Sequence, residues 1–217
     1  MPDPLPALLV EDVHKSYARR RVLEGVDIEL PRSCLGGVVG ENGSGKSTLL
    51  RILAGQLAAD HGRVSCPGGV GYCPQEPVLN PTLTTDQHLR LFQVAYALPH
   101  LDRANELLDQ LHFSADRGQR VETLSGGTQQ KLNLTLALMH DPTLLLLDEP
   151  YQGFDWETYQ KFWELTGSLR DRGDSILMVS HISYEISRFD HLWRLHSGRL
   201  SERKRDDPPL HLGIAGT

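Results

Sequence analysis

The residues from Gly40 to Thr48, Gly40-Glu41-Asn42-Gly43-Ser44-Gly45-Lys46-Ser47-Thr48, combine types that together handle phosphate. Gly40, Gly43 and Gly45 let the backbone turn tightly and aim its N–H groups inward, so that Asn42, Ser44 and their neighbours form an anion nest. A following helix N-terminus reinforces it. Lys46 reaches the β- and γ-phosphates of a nucleotide, Ser47 offers a hydroxyl to Mg²⁺, and Thr48 donates to a nearby phosphate. A second chemical pair, Asp148-Glu149, ends the run Leu144-Leu145-Leu146-Leu147. At the carboxyl edge of a buried parallel strand, Asp148 can hold Mg²⁺ beside Ser47 while Glu149 orients and polarises an attacking water. A third stretch, Leu124-Ser125-Gly126-Gly127-Thr128-Gln129, places two glycines before an apolar helical segment and offers a second phosphate site at a positive helix end.

These groups need rigid elements behind them. The apolar run Leu35 to Val39 reads as the strand feeding the phosphate loop, and Thr48 to Ala54 as the helix leaving it. Leu8 to Tyr17 and Val22 to Leu30 read as an antiparallel pair ahead of it, joined through Ala18-Arg19-Arg20-Arg21. A short strand pair is expected around Arg63-Val64-Ser65 and Val70-Gly71-Tyr72, split by Pro67-Gly68-Gly69. From Pro81 the pattern turns helical: Thr84-Thr85-Asp86 supplies a cap, Leu89, Phe92, Ala95 and Tyr96 a stripe, and Ala104, Leu107, Leu108 and Leu111 a second stripe on a helix from Asp102 to His112. Ser175 to Ser180 reads as another buried strand, with His181 directly after it. Trp156, Tyr159 and Trp163 share a helical face and read as core.

Several residues stay open on this evidence. Tyr17 either stacks on a purine or packs on its own sheet; Gln75, in Pro74-Gln75-Glu76-Pro77, either approaches the metal and water or is solvated; His181 either meets a γ-phosphate or lies at the surface. His191 and His196 lack the carboxylate or cysteine pattern of a metal site.

The formal charge of −6 gives no basic field, so no nucleic-acid binding is expected. Cys34, Cys66 and Cys73 are odd in number and form no CxxC pair, which reads as reduced cytosolic cysteines. Neither a leader at Met1-Pro2-Asp3-Pro4 nor a membrane-length apolar run of roughly 20 residues is found, so a protein soluble by itself is expected. Glu202 to Pro209 has the composition of a flexible charged tail.

The order of tyrosine, phosphate loop, glutamine, LSGG, LLLLDEP and SH resembles the ATP-binding subunit of ATP-binding cassette transporters, over residues 7 to 200. The resemblance implies an α/β P-loop NTPase fold with a mainly parallel sheet, an N-terminal antiparallel β subdomain and a helical subdomain inserted at about residues 80–140. It makes residues 1–200 a single domain and 201–217 a tail. It also implies that Tyr17 stacks on adenine, that Gln75 senses a membrane partner and ligates Mg²⁺ with Ser47 and Asp148, and that Ser125, Gly126, Gly127 and Gln129 form the signature. Asp155 is then the aspartate of the loop after the catalytic carboxylate, and His181 the switch histidine acting with Glu149 and Lys46. The implied ligands are ATP and Mg²⁺. The implied partners are an integral-membrane permease and a second ATP-binding subunit, identical or not, arranged head to tail on the cytoplasmic face of the cell membrane. Three features depart from the family pattern: Thr128 in the signature, Tyr151-Gln152-Gly153-Phe154-Asp155 after the acidic pair, and a short stretch between Lys46 and Gln75. The short helical insert and Pro81-Thr82-Leu83-Thr84 point to export. A soluble cassette ATPase working on ribosomes, DNA or iron–sulfur assembly is the alternative, and a nucleotide sensor with negligible turnover a third.

Overall fold

The computed structural model describes residues 5–113, 115–180 and 183–203. Nine strands and five helices follow one another as β1 (Leu8–Tyr17), β2 (Arg20–Leu30), β3 (Leu35–Val39), α1 (Lys46–Leu53), β4 (His61–Ser65), β5 (Val70–Cys73), α2 (Thr85–Ala95), α3 (Asp102–Gln110), α4 (Gly126–Leu138), β6 (Leu144–Asp148), α5 (Trp156–Arg172), β7 (Ser175–Ser180), β8 (His191–His196) and β9 (Arg199–Arg203) among the described residues. They build a three-stranded antiparallel sheet, β2-β1-β4, and a six-stranded sheet, β5-β6-β7-β3-β8-β9. The larger sheet is parallel except for β9, which returns from β8 as an antiparallel edge.

The central strands are apolar without interruption because both faces are covered. Leu144 and Leu146 of β6 point into one core with β1, β2 and α1, while Leu145 and Leu147 point into a second with α4 and α5. Residues alternate faces along a strand, so four successive leucines serve both layers. A third core, around Leu89, Leu108, Leu132 and Leu136, unites α2, α3 and α4, the helices inserted between β5 and β6. Helix α2 starts with a full capping box: Thr84 accepts from the Gln87 N–H and Gln87 accepts from the Thr84 N–H.

Register brings the strand ends into one row. Cys73 lies opposite Leu147, Asp148 opposite Val179, and Val39 opposite Ser180. The loops after β3, β5, β6 and β7 therefore open on the same carboxyl edge, the usual ligand crevice of such sheets.

Four expectations change. The strands at Arg63–Ser65 and Val70–Tyr72 are not a pair: β4 joins β1 in the small sheet, and β5 runs parallel to β6 in the large one. Gly71 explains the second placement, since a Cβ there would sit 2.2 Å from the Ala137 carbonyl oxygen, so only a glycine strand fits under α4. On α2 the inward positions are Thr85, His88 and Leu89, whereas Ala95 is exposed and Tyr96 sits at the rim, its ring stacked on His140. Trp156 is 71% exposed and only Trp163 of that face is buried, because Trp156 opens α5 before the helix reaches the core. The tail begins later than residue 201: Ser201, Glu202 and Arg203 complete β9, and residues 204–217 lie outside the described residues.

Candidate nucleotide site

Helix α1 begins at Lys46 with Gly45 as its N-cap, at φ 109°, and no side chain caps it. Only glycine adopts that conformation cheaply, and a Cβ would also press on Val22 at 3.0 Å. The N–H groups of the first turn have no partner within the helix and face the loop. Gly40 is equally constrained, since a Cβ there would lie 2.4 Å from the Leu195 carbonyl oxygen. Within the loop the Ser44 hydroxyl is buried without a partner, a polar atom waiting for an acceptor or donor from outside.

Lys46 is 6% exposed and folds back so that Nζ donates to Gly40 O at 2.8 Å and Glu41 O at 2.9 Å. An ammonium has three donors, so one remains for a ligand. Burial pulls its pKa below the ordinary lysine range, and the nearby carboxylates of Glu149 and Asp148 pull it partly back.

Asp148 and Glu149 are both buried at the end of β6. Glu149 has φ 48°, in the left-handed region, and its N–H donates to Val179 O at 3.1 Å. Its side chain meets two amides: Gln75 Nε2 donates to Oε2 at 3.3 Å, and Gln152 Nε2 donates to the same oxygen at 2.5 Å.

An open cleft of about 840 Å³ gathers these groups, lined by Tyr17, Asn42, Gly43, Gly45, Lys46, Ser47, Thr48, Gln75 and Glu149. Tyr17 ends β1 on the cleft wall and is 46% exposed. Gly40 and Ser44 are not among its lining residues. Ser125, Gly126, Gly127, Gln129 and Asp155 do not line the cleft. Ser125 and Gly126 are exposed at the start of α4, where Ser125 Oγ accepts from the Thr128 N–H and pairs with Thr128 Oγ1 at 2.8 Å. The departure at Thr128 thus gives the serine an intrahelical partner. Gln129 turns inward and its Nε2 donates to the carbonyls of Val121 and Leu124. Asp155 caps α5, accepting from the Thr158 N–H at 2.7 Å, which holds its carboxyl below the ordinary aspartate range. His181 lies outside the described residues.

Sequence reasoning missed four contributors. Arg20 lines the cleft and its Nη2 donates to Gly43 O at 3.1 Å; the Arg19-Arg20-Arg21 run beside Tyr17 was the available signal. Gln152 lines it too, with no signal beyond its place three residues after Glu149. On α4, Gln130 Nε2 donates to Pro150 O at 3.1 Å and Asn133 Nδ2 to Pro74 O at 3.0 Å. Both amides are buried on α4 and fix the peptides next to Glu149 and Gln75.

The donors available to a metal are the Ser47 hydroxyl, the Asp148 carboxylate and the Gln75 amide oxygen, an all-oxygen set suited to Mg²⁺. Among the described residues no group of three or more His, Cys, Asp or Glu is arranged to hold a metal alone.

Comparison with known proteins agrees with this geometry. The family model described as ABC transporter matches residues 23–152. The linearmycin resistance ATP-binding protein LnrL of Bacillus subtilis (strain 168) is 31% identical over 194 residues, covering 82% of this chain and 62% of that protein. The Nod factor export ATP-binding protein I of Ralstonia nicotianae is 32% identical over 210 residues, covering 89% and 65%. The chain thus spans less than two thirds of the length of these relatives. A solved structure of the ATP-binding subunit of an ABC transporter superposes with a TM-score of 0.86 at 28% identity, covering 92% of this chain and 90% of that one.

Proposed function

Because this chain belongs to the ATP-binding family of ABC transporters, we propose that it hydrolyses ATP in the cleft at the carboxyl edge of its parallel sheet and thereby energises export through a separate membrane permease. The observation that carries the reading is the convergence, in one cleft, of an uncapped helix start, a buried lysine and a buried carboxylate touched by two amides.

Tyr17 stacks on the adenine. The loop from Gly40 to Thr48 surrounds the phosphates with backbone N–H groups, and the unpartnered Ser44 hydroxyl and the third Lys46 proton join them. Ser47, Asp148 and Gln75 hold Mg²⁺, which when bound with the nucleotide neutralises charge on the β- and γ-phosphate oxygens. Glu149 accepts the proton of a water as its oxygen bonds to the γ-phosphorus and the bond to the bridging oxygen breaks, releasing ADP and phosphate. His181 assists at the γ-phosphate as the switch residue.

The exposed Ser125 and Gly126 with Gly127, and the loop of Asp155, serve the nucleotide of a second cassette, identical or related, docked head to tail. What supports this is that they stand outside the cleft of their own chain. ATP that binds the closed pair better than the open one shifts the pair toward closure, and hydrolysis reopens it. The permease side is supported by exposed apolar side chains: Val78, shortly after Gln75, is 81% exposed, and Val94 on α2 is 80% exposed. No helix among the described residues is long and apolar enough to cross a membrane. Export is supported by the names of two relatives, one a linearmycin resistance and the other a Nod factor export ATP-binding protein. The site of action is the cytoplasmic face of the membrane.

Glu149→Gln is the test: it keeps ATP binding and lowers phosphate release by roughly a hundredfold or more, as loss of a general base does. Unchanged turnover removes the assignment. Recovery of the purified chain with ribosomes, instead of with a polytopic membrane protein, removes the transport role.

A further inference from the structure

The segment Tyr151-Gln152-Gly153-Phe154-Asp155 departs from the small-polar pattern of its relatives' family, and the structure gives its glutamine a definite contact. Glu149 sits one residue past β6 at φ 48°, so neither strand nor helix geometry dictates where its side chain goes. The contacts around it must. Gln152 Nε2 donates to Glu149 Oε2 at 2.5 Å, and the Gln152 N–H donates to Glu149 O at 3.4 Å, so one residue grips the glutamate by both side chain and main chain. Gln75 Nε2 reaches the same Oε2 from the loop after β5. A small polar side chain at position 152 ends at its β- or γ-atom and lacks the reach of the glutamine amide.

The platform under Gln152 is itself tied down. The Tyr151 hydroxyl bonds Ser180 Oγ at the end of β7, and Pro150 O accepts from Gln130 on α4. Gly153, at φ 76°, packs its backbone against Gly127 at the start of α4, where a Cβ on Gly127 would lie 2.4 Å from Gly153 O. The turn carrying Gln152 is thus wedged between the glutamate and the signature helix.

We propose that Gln152 is a positioning residue for hydrolysis: its amide anchors Oε2 of Glu149, shares that oxygen with Gln75, and so fixes the plane of the carboxylate that receives the water's proton. The inference rests on the reading of Glu149 as the base. Gln152 acts through Glu149 and not on the nucleotide, which separates its effect from that of the phosphate loop. A hydrogen bond to a charged group is among the stronger ones, and losing it lets the carboxylate swing away from the attack line.

The test is a mutant cycle on the full chain, reading kcat, KM and ATP Kd for Q152A, Q152E, E149Q and E149Q/Q152A. Q152A lowers kcat about tenfold or more while ATP Kd stays within about twofold. Q152E keeps the shape of glutamine but replaces the donor by a like charge, so it lowers kcat at least as far with an unchanged melting midpoint. In the E149Q background, Q152A changes the residual turnover by less than about twofold, because the group it positions is gone. The proposal is overturned if Q152E retains wild-type kcat, if Q152A costs the same factor with and without Glu149, or if ATP affinity falls in step with kcat. Wild-type turnover in E149Q alone is a different result: it overturns the reading of Glu149 itself.

Discussion

The chain has two glycine-rich helix starts, and they are finished in opposite ways. At α1 the cap is Gly45, no side chain closes the first turn, and the neighbouring Ser44 hydroxyl is buried without a partner. At α4 the cap is Ser125, whose oxygen accepts from the Thr128 N–H and pairs with the Thr128 hydroxyl, on an exposed surface. An uncapped helix start with a buried orphan beside it costs free energy until an anion arrives. A start capped by its own serine is stable alone and can exchange that bond for another. Under the proposed function the first holds phosphate within the chain, and the second meets phosphate presented by another molecule.

The sharpest way to break this contrast is Lys46→Ala. It removes the ammonium that folds back into the α1 loop, and ATP affinity falls by roughly a hundredfold or more, measured by equilibrium titration. Retained affinity ends the claim that this loop is the phosphate site. Ser125→Ala comes next. It leaves ATP binding to dilute protein unchanged, lowers steady-state turnover, and destabilises the helix by about 1 kcal/mol through loss of the cap, read from the thermal midpoint. An affinity loss in dilute protein would merge the two sites into one. The smallest effect is at Ser44→Ala. Deleting the buried unpartnered hydroxyl stabilises the nucleotide-free protein by about 1 kcal/mol and weakens ATP severalfold. A loss of stability without nucleotide contradicts the orphan at α1.

How much of this was legible follows from how local each signal is. The phosphate loop, the strand Leu35–Val39 and the run ending in Asp148-Glu149 are contiguous, and a buried parallel strand announces itself by unbroken apolar residues. The cap of α2 at Thr84 and the stripe of α3 are equally local. Pairing is not. Arg63–Ser65 and Val70–Tyr72 look like a hairpin around Pro67-Gly68-Gly69, yet their partners are β1 and β6, more than forty residues away in sequence in each case. Gln152 and Arg20 are ordinary polar residues until folding brings them to Glu149 and Gly43. Gln130 and Asn133 could be noticed as polar positions within a helix, but their acceptors at Pro150 and Pro74 lie on two other loops. Trp156 follows the helical period of Tyr159 and Trp163 and still faces solvent, since periodicity says which side of a helix is apolar and not where the core stops.

The central claim is that the two helix starts serve different nucleotides. Hydrogen exchange of the Glu149→Gln chain, with Mg²⁺ and ATP, over a range of protein concentrations tests it most directly. Slowed exchange across Gly43 to Thr48 at every concentration, with protection of Ser125 to Gly127 appearing only as the chain self-associates or a partner cassette is added, is the expected result. Protection of both segments together in dilute monomer, or of neither, would contradict it.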